Sequence, residues 1–181
     1  SDLKGRYVDE QLAAVGYNLA YNQVKKDILD NISNDEVTMP DVKTWRMLLF
    51  KSIAEANDSN PNRMLQYRRD PVFIRGSRHV PVNDKSIIDC MDVLQECIES
   101  SQDDLPITRA ILSHMLLVYI HPWSDGNGRT ARFLMNYFLC KEKMPWLIIK
   151  NEERKAYFKA LESAQADNNI LPFMNFIGSK I

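Results

Sequence analysis

The chain has 181 residues, a length typical of one globular domain. Apolar residues make up 45% and charged residues 26%, which excludes a generally disordered chain. The 23 Lys and Arg residues nearly balance the 24 Asp and Glu residues, so the formal net charge is −1. This balance argues against nucleic acid or an anionic membrane as the main partner, and any anion site must therefore be local.

Cysteine content and hydropathy predict the cellular setting. Cys90, Cys97 and Cys140 are too few and too scattered for a disulfide framework or a zinc site. The longest apolar stretch, Met115 to Ile120, is far shorter than a membrane span, and the N-terminus has no signal-peptide pattern. We therefore expect a cytoplasmic location, no membrane partner and a single domain over residues 1–181.

Spaced apolar residues predict helices in the first third of the chain. The first predicted helix runs from Val8 to Leu29, and its apolar positions are Leu12, Val15, Leu19, Ala20, Val24 and Ile28. Residues 31–39 have the composition of a polar loop, and Pro40 precedes a second predicted helix, Val42 to Ala56. The run N-D-S-N-P-N at 57–62 is a strong helix breaker.

The pattern changes in residues 67–82, which we call the flap. Pro71–Ile74 and His79–Val82 predict two short β runs around a turn that contains Gly76. Two prolines and several arginines disfavour an internal strand pair, so we expect an exposed edge hairpin. Its open edge could accept an extended target segment by strand addition. The residues that we expect to dock such a segment are Val72, Phe73, Ile74 and Arg75.

Helical periodicity resumes after the flap and continues to the C-terminus. The further predicted helices are 84–100, 106–120, 128–140, 152–166 and 171–177. No internal repeat, low-complexity tract or linker interrupts them. An all-α domain, a helical bundle with one short β-hairpin, is the economical architecture.

The most informative segment is the loop at 121–132, H-P-W-S-D-G-N-G-R-T-A-R, between two predicted helices. Gly126 and Gly128 let the backbone approach an anion closely, and the helix that follows offers its unpaired N–H groups there. Arg129 and Arg132 lie on one face of its first turn, where cations are disfavoured unless an anion binds between them. The segment therefore predicts a phosphate site.

Two residues of the same loop add chemistry to that site. Asp125 adjoins the glycines and is placed to hold a magnesium ion against phosphates. His121 is the only side chain of the loop that can take a proton near neutral pH. His114, two turns earlier on the preceding helix, is expected to be a structural histidine that could also help to orient His121.

Three other motifs fit this segment less well. Gly126–Ala131 matches G-x-G-x-x-A, but His-Pro-Trp-Ser-Asp separates it from any candidate strand. Thr130 and Asn136 stand where an EF-hand needs Gly and Glu. No G-x-x-x-x-G-K-[ST] occurs, which excludes a P-loop.

Taken as one pattern, residues 121–132 resemble the signature of the Fic domain family, H-P-F-x-[DE]-G-N-G-R-x-x-R. Trp123 stands where phenylalanine is usual, which keeps an aromatic wedge. More loosely, the flap resembles the flap of that family, the stretch from Glu153 to Tyr157 resembles its nucleotide-side helix, and Leu171–Phe173 resembles its closing segment. The resemblance implies a Fic-type helical bundle.

The resemblance also implies protein AMPylation, in which AMP passes from ATP to a Tyr, Thr or Ser hydroxyl of a target protein. His121 is then the general base, and Asp125 holds the Mg²⁺ ion. The implied nucleotide- and phosphate-binding residues are Gly126, Asn127, Gly128, Arg129, Thr130, Arg132, Tyr157 and Gln165.

Other functions stay open at this stage. Doc-type phosphotransferases of the family carry lysine in place of the second glycine, so Gly128 favours nucleotidyl transfer over phosphate transfer. Transfer of UMP or another phosphate-linked group is open because no base-reading residue is strongly marked. A non-catalytic nucleotide-binding interaction module is a further alternative, although such a version should lack the histidine or the acid, and His121 and Asp125 are both present.

The resemblance also raises the question of how the activity is inhibited. Many Fic proteins are inhibited by a glutamate in an [ST]-x-x-x-E-[GN] helix that pairs with the second arginine of the motif. No glutamate in this sequence is followed by Gly or Asn. The inhibitory element therefore lies in a missing segment, belongs to an inhibitory partner protein, or does not exist.

Overall fold

The computed structural model describes residues 3–181, with side chains from residue 7 onward. Helices account for all of its regular secondary structure, and no strand forms within this range. The α-helices are α1 (Leu3–Asn31), α2 (Val42–Ala56), α3 (Ile87–Glu99), α4 (Pro106–Ile120), α5 (Asn127–Lys141), α6 (Arg154–Ala166) and α7 (Leu171–Gly178). Short 3₁₀ turns span Pro61–Leu65, Asp84–Ser86 and Asn151–Glu153. The all-α prediction is confirmed, and no helix in the described range is long and apolar enough to cross a membrane.

Local capping signals explain why α2 and α4 begin and end where they were predicted. The Asp41 carboxylate accepts a hydrogen bond from the Thr44 backbone N–H at 3.1 Å, which satisfies an unpaired donor of the first turn of α2. Pro106 occupies the first turn of α4, where its missing N–H costs nothing. The other predicted helices are present with small shifts at their ends.

Helix α5 lies at the centre of the bundle and contacts α1, α2 and α4. Its side chains are buried on almost every face, the pattern of a core helix rather than of a surface helix. The fully or nearly fully buried positions are Thr130, Ala131, Phe133, Leu134, Met135, Asn136, Tyr137, Phe138 and Leu139. Helix α5 begins directly after the predicted phosphate loop. The packing of α5 in the core therefore holds the end of that loop in place.

Helix α1 buries only some of the apolar positions that predicted it. Gly16, Ala20, Val24 and Ile28 are buried, whereas Val15 and Leu19 are 51% and 37% exposed. An added Cβ at Gly16 would lie 2.2 Å from the Leu49 carbonyl oxygen, so the two helix backbones meet there. This close approach places the small-residue face of α1 against α2, so the apolar positions Ala20, Val24 and Ile28 are buried whereas Val15 and Leu19 are not.

The flap contains a turn but no strand pair, so the predicted pairing of two β runs is wrong. Ser77 donates its backbone N–H to the Ile74 carbonyl at 3.1 Å, and Gly76 has a φ of +80° within this turn. The backbone N–H groups of Val72, Phe73 and Ile74 donate to no other group of the described chain. Side chains, described below, hold the flap in place of a hydrogen-bonded ladder.

Candidate active site

The site begins where α4 ends. Pro122 disfavours a helical conformation at the residue before it, so the helix stops at Ile120 and His121 takes a left-handed conformation, φ 53° and ψ 58°. For a residue with a Cβ this conformation costs about 1–2 kcal/mol. The backbone turn directs the chain into the loop and places His121 on the wall of a cavity.

The Asn127 side chain bridges the loop by two hydrogen bonds to the backbone of Trp123. Its side-chain amide donates to the Trp123 carbonyl at 2.7 Å, and its side-chain oxygen accepts the Trp123 N–H at 3.0 Å. Asn127 is thereby buried at the first residue of α5, and its side chain is already engaged. Only its backbone N–H is left to serve the predicted anion site.

A buried arginine supports the loop from below. Arg46 on α2 donates through Nε to the Asp125 carbonyl at 3.2 Å and through Nη1 to the Met64 carbonyl. Its guanidinium lies against the rings of Phe50 and Trp123 at 5.1 and 5.2 Å. Burial lowers the pKa of Arg46 to about 10, which leaves it a cation at neutral pH. This cation holds the carbonyl of the predicted metal ligand in place.

A cavity of about 750 Å³ opens above the loop. Its size falls within the range of small-molecule sites. The loop, the tip of the flap and α6 form its walls. The predicted site residues that line it are His121, Asp125, Gly126, Asn127, Gly128, Arg129, Arg132, Tyr157, Gln165, Ile74 and Arg75.

Three predicted site residues lie outside the cavity. Thr130 is fully buried in the core, and its backbone N–H donates to the Gly126 carbonyl at 2.9 Å. Its placement does not support a role in binding phosphate, because α5 turns its side chain into the bundle. Val72 and Phe73 lie on the outer part of the flap, and Phe73 is 83% exposed.

The environment of His121 suits a general base. Its Nδ1 lies 3.3 Å from the Val118 carbonyl, and since a carbonyl only accepts, Nδ1 carries the proton. This tautomer leaves the Nε2 lone pair free. Burial lowers the pKa of His121, and the charges of Arg68 and His79 lower it further, while the Val118 carbonyl and Asp125 act in the opposite direction. The imidazole is therefore neutral and able to accept a proton at pH 7.

The start of α5 forms the cationic end of the cavity. Arg129 and Arg132 line it together with the backbone of Gly126 and Gly128. The Asp125 side chain is 71% exposed, and its carboxylate lies 3.3 Å from Arg129 Nη2. The described residues contain no group of three metal-ligating side chains, so a cation here would rely on phosphate oxygens as well as on Asp125.

Helix α6 lines a further wall of the cavity. The Tyr157 hydroxyl lies 2.9 Å from Nε2 of His114, a residue that is fully buried. Burial lowers the pKa of His114 to about 3, so it stays neutral, and its partner is Tyr157 rather than His121. Gln165 is buried, and its side-chain Nε2 has no hydrogen-bond partner within the described chain. The nitrogen atom is itself shielded from solvent, so a ligand in the cavity would reach it only after the Gln165 side chain turns.

Sequence reasoning missed the residues that hold the flap over the cavity. Glu162 on α6 accepts hydrogen bonds from the Ser77 hydroxyl and, at 2.8 Å, from the Arg78 backbone N–H. Arg78 also donates to Asp167 at 2.8 Å. These contacts join segments more than eighty residues apart in sequence, and no local motif indicates them.

Comparisons with known proteins identify the family of the chain. The Fic/DOC family matches residues 36–139, which include the whole 121–132 signature, and the chain therefore belongs to that family. It is 30% identical over 175 residues to a protein adenylyltransferase Fic of Aedes aegypti and to one of Drosophila grimshawi. Each alignment covers 96% of this chain but only 33% and 34% of the relative. The chain thus spans about a third of the length of the curated relatives that it matches.

Solved structures show the same fold. Residues 134–508 of Fic-1 from C. elegans superpose with a TM-score of 0.76 at 23% identity, covering 92% of this chain and 47% of that one. A Fic domain containing signaling protein from Bacteroides thetaiotaomicron superposes with a TM-score of 0.67 at 24% identity, covering 94% of this chain and 66% of that one. The Fic-type bundle inferred from the signature is confirmed.

Proposed function

We propose that this domain transfers AMP from ATP to a Tyr, Thr or Ser hydroxyl of a target protein, with His121 as the general base. The observation that carries the proposal is one cavity that contains both a proton acceptor and an anion-binding helix start. His121 has its Nδ1 engaged by Val118, while Arg129 and Arg132 line the same cavity. The names of the Aedes and Drosophila relatives, protein adenylyltransferase, support the same reaction.

The proposed reaction is an in-line displacement at the α-phosphorus. His121 Nε2 takes the proton of the target hydroxyl, and the oxygen forms a bond to the α-phosphorus. The bond from the α-phosphorus to the bridging oxygen breaks, and pyrophosphate leaves with that electron pair. Arg129, Arg132 and the N–H groups at the start of α5 would stabilise its charge. Positioning and charge stabilisation would supply most of the acceleration.

Mg²⁺ fits this scheme through the chemistry of the available donors. Nucleotide-bound Mg²⁺ is commonly held by one or two carboxylates together with substrate phosphates. Asp125 is the exposed carboxylate in the cavity wall beside the two arginines, and it would hold the ion. When bound, the ion would neutralise phosphate charge that the arginines leave uncompensated.

We place the adenine at the α6 end of the cavity, near Tyr157 and Gln165. The Gln165 amide has an unpaired N–H donor that a turn of the side chain would offer to a ring nitrogen, and Tyr157 is held by His114. Gly128 supports nucleotide transfer over phosphate transfer, because Doc-type phosphotransferases of the family carry lysine at this position. An added Cβ at Gly128 would lie 3.4 Å from Arg132 Nη1, so a longer side chain there would crowd Arg132.

The deciding experiment uses ATP labelled at the α- or the γ-phosphate, with a lysate as the source of target proteins. We expect the α label alone to remain on protein, and His121→Ala to reduce this signal by about 10²- to 10⁴-fold. Binding of ADP to the same variant should change less than about twofold, because the phosphate-binding groups are intact. Retention of the γ label alone would indicate phosphate transfer, and unchanged labelling in His121→Ala would exclude the proposed base. Labelled UTP in a parallel reaction tests the donor base.

A further inference from the structure

Arg68, at the beginning of the flap, is a buried arginine whose hydrogen bonds converge on the site. It is 8% exposed. Its Nε donates to the His121 carbonyl at 2.9 Å, and its backbone N–H donates to the Pro122 carbonyl at 2.9 Å. Its Nη1 donates to the Asp70 carbonyl at 3.0 Å and its Nη2 to the Val82 carbonyl. One planar guanidinium thus serves three carbonyls.

These carbonyls belong to two different segments, the flap and the end of α4. Asp70 and Val82 lie at opposite ends of the flap arms, and His121 is the proposed base. The flap has no strand pairing to fix its position, so side-chain contacts decide where it lies. His79 provides a second anchor, with its Nε2 2.8 Å from the Tyr119 carbonyl. Both anchors reach the last turn of α4 and the residue that ends it.

The contact with His121 has a particular physical consequence. His121 is held in a left-handed conformation, which costs free energy and would relax if the surrounding contacts allowed it. A change in the φ or ψ of His121 would turn its carbonyl and change the direction of its imidazole relative to the loop that follows. Arg68 binds the carbonyls of His121 and Pro122 and thereby opposes such a change.

We propose that Arg68 is a positioning residue that holds the His121 imidazole and the flap at a fixed distance and orientation relative to each other. This inference rests on the proposed transferase function. A target segment docked along the flap would then present its hydroxyl at a constant distance from Nε2. Misplacement of reacting groups by about 1 Å can cost about 100-fold in rate, so even a small loosening would be measurable.

The test uses Arg68→Met and Arg68→Lys, with Arg69→Met and Arg69→Lys as matched controls. Arg69 is the adjacent residue and is exposed. Lysine keeps the charge but lacks the planar fork, so geometry and charge are separated. We expect both Arg68 variants to lower kcat by about tenfold or more, while KM for ATP stays within about twofold of the controls. If Arg68→Met does not fold, the kcat of Arg68→Lys alone tests the positioning role.

A second readout does not depend on activity. NMR of labelled histidine follows the titration of His121, which Arg68, His79, Asp125 and the Val118 carbonyl surround. Loss of the Arg68 charge should raise the pKa of His121 in Arg68→Met, whereas Arg68→Lys should retain more of the depression. Amide exchange at Ser77, Arg78 and His79, whose N–H groups are hydrogen-bonded within the flap or to Glu162, should accelerate in both variants and in neither control.

The outcomes separate this inference from the proposed function. A kcat for both Arg68 variants within twofold of the controls overturns the positioning role. Equal losses in kcat and ATP affinity also overturn it, because they indicate a general structural role. If the wild-type chain transfers no nucleotide, the proposed function fails, and the histidine NMR and amide exchange still decide whether Arg68 holds His121 and the flap.

Discussion

Replacement of Gly126 by alanine tests how tightly the phosphate loop is packed. Gly126 has a φ of +83°, a conformation that glycine adopts freely and alanine does not. An alanine Cβ would also lie 2.7 Å from Cε2 and 3.1 Å from Cζ of the Phe50 ring. Two separate costs therefore act on this one substitution.

The structure allows each cost to be assigned a magnitude. The positive φ accounts for about 1–2 kcal/mol in the free energy of unfolding. Overpacking against a ring that cannot withdraw adds about 1–3 kcal/mol. Phe50 is confined because its ring lies between the guanidinium groups of Arg46 and Arg129, at 5.1 and 4.9 Å. We expect Gly126→Ala to destabilise the domain by about 2–5 kcal/mol.

The assay is urea unfolding followed by tryptophan fluorescence, for which the buried Trp123 lies in the same loop. Gly76→Ala is the matched control, since Gly76 has a φ of +80° with no atom within 4 Å of an added Cβ. It should show the conformational cost alone. Phe50→Leu in combination with Gly126→Ala should recover most of the packing cost, which a double-mutant cycle measures.

Three results would refute this reasoning. Gly126→Ala and Gly76→Ala could cost the same, which would mean that Phe50 moves aside freely. The double-mutant cycle could show no coupling between Gly126 and Phe50. Finally, the KM for ATP could be unchanged in Gly126→Ala although the displaced ring contacts Arg129.

Three further predictions concern chemistry and target binding. Burial lowers the pKa of His121, so the imidazole stays neutral at pH values where an exposed histidine is protonated. We therefore expect kcat/KM to rise with pH through a pKa below about 6.5. A pH–rate profile with its acid limb above about 6.5 would contradict this. Asp125→Asn should weaken Mg²⁺-supported ATP binding, measured by calorimetry, and full activity in the presence of a chelator would exclude the metal role. Phe73→Pro removes an N–H that no group of the described chain accepts, so it should reduce target labelling far more than ADP binding. Phe73→Ala, which keeps the N–H, is its control, and equal effects of the two would exclude backbone docking.

The signals that made the helices predictable are local. Helix α4 begins at Pro106 and ends before Pro122, and both boundaries follow from the backbone chemistry of proline. The loop at 121–132 was recognisable for the same reason, since its glycines, arginines, acid and base are adjacent in sequence. Adjacent residues that share a helix start cannot separate in space, whatever the rest of the fold does.

The face of α1 and the form of the flap were decided by tertiary contacts. Apolar spacing in α1 does not distinguish Val15 and Leu19 from Ala20 and Val24, but the close approach of Gly16 to the Leu49 carbonyl buries only the face that carries Ala20 and Val24. In the flap, β propensity at Phe73 and Ile74 predicted strand pairing. The side chains of Arg68 and Glu162 instead hold the segment without a ladder.

The supports of the site depended entirely on the tertiary structure. Arg46 is 79 residues from Asp125 in sequence, and Arg68 is 53 residues from His121. Arg46 and Arg68 both bind backbone carbonyls. Every residue has a backbone carbonyl, so the amino-acid type at the partner position does not indicate the contact. The sequence thus determined which residues perform the chemistry, because their types and spacing are specific. Only the folded chain could show which buried cations hold them, because that depends on which carbonyls converge.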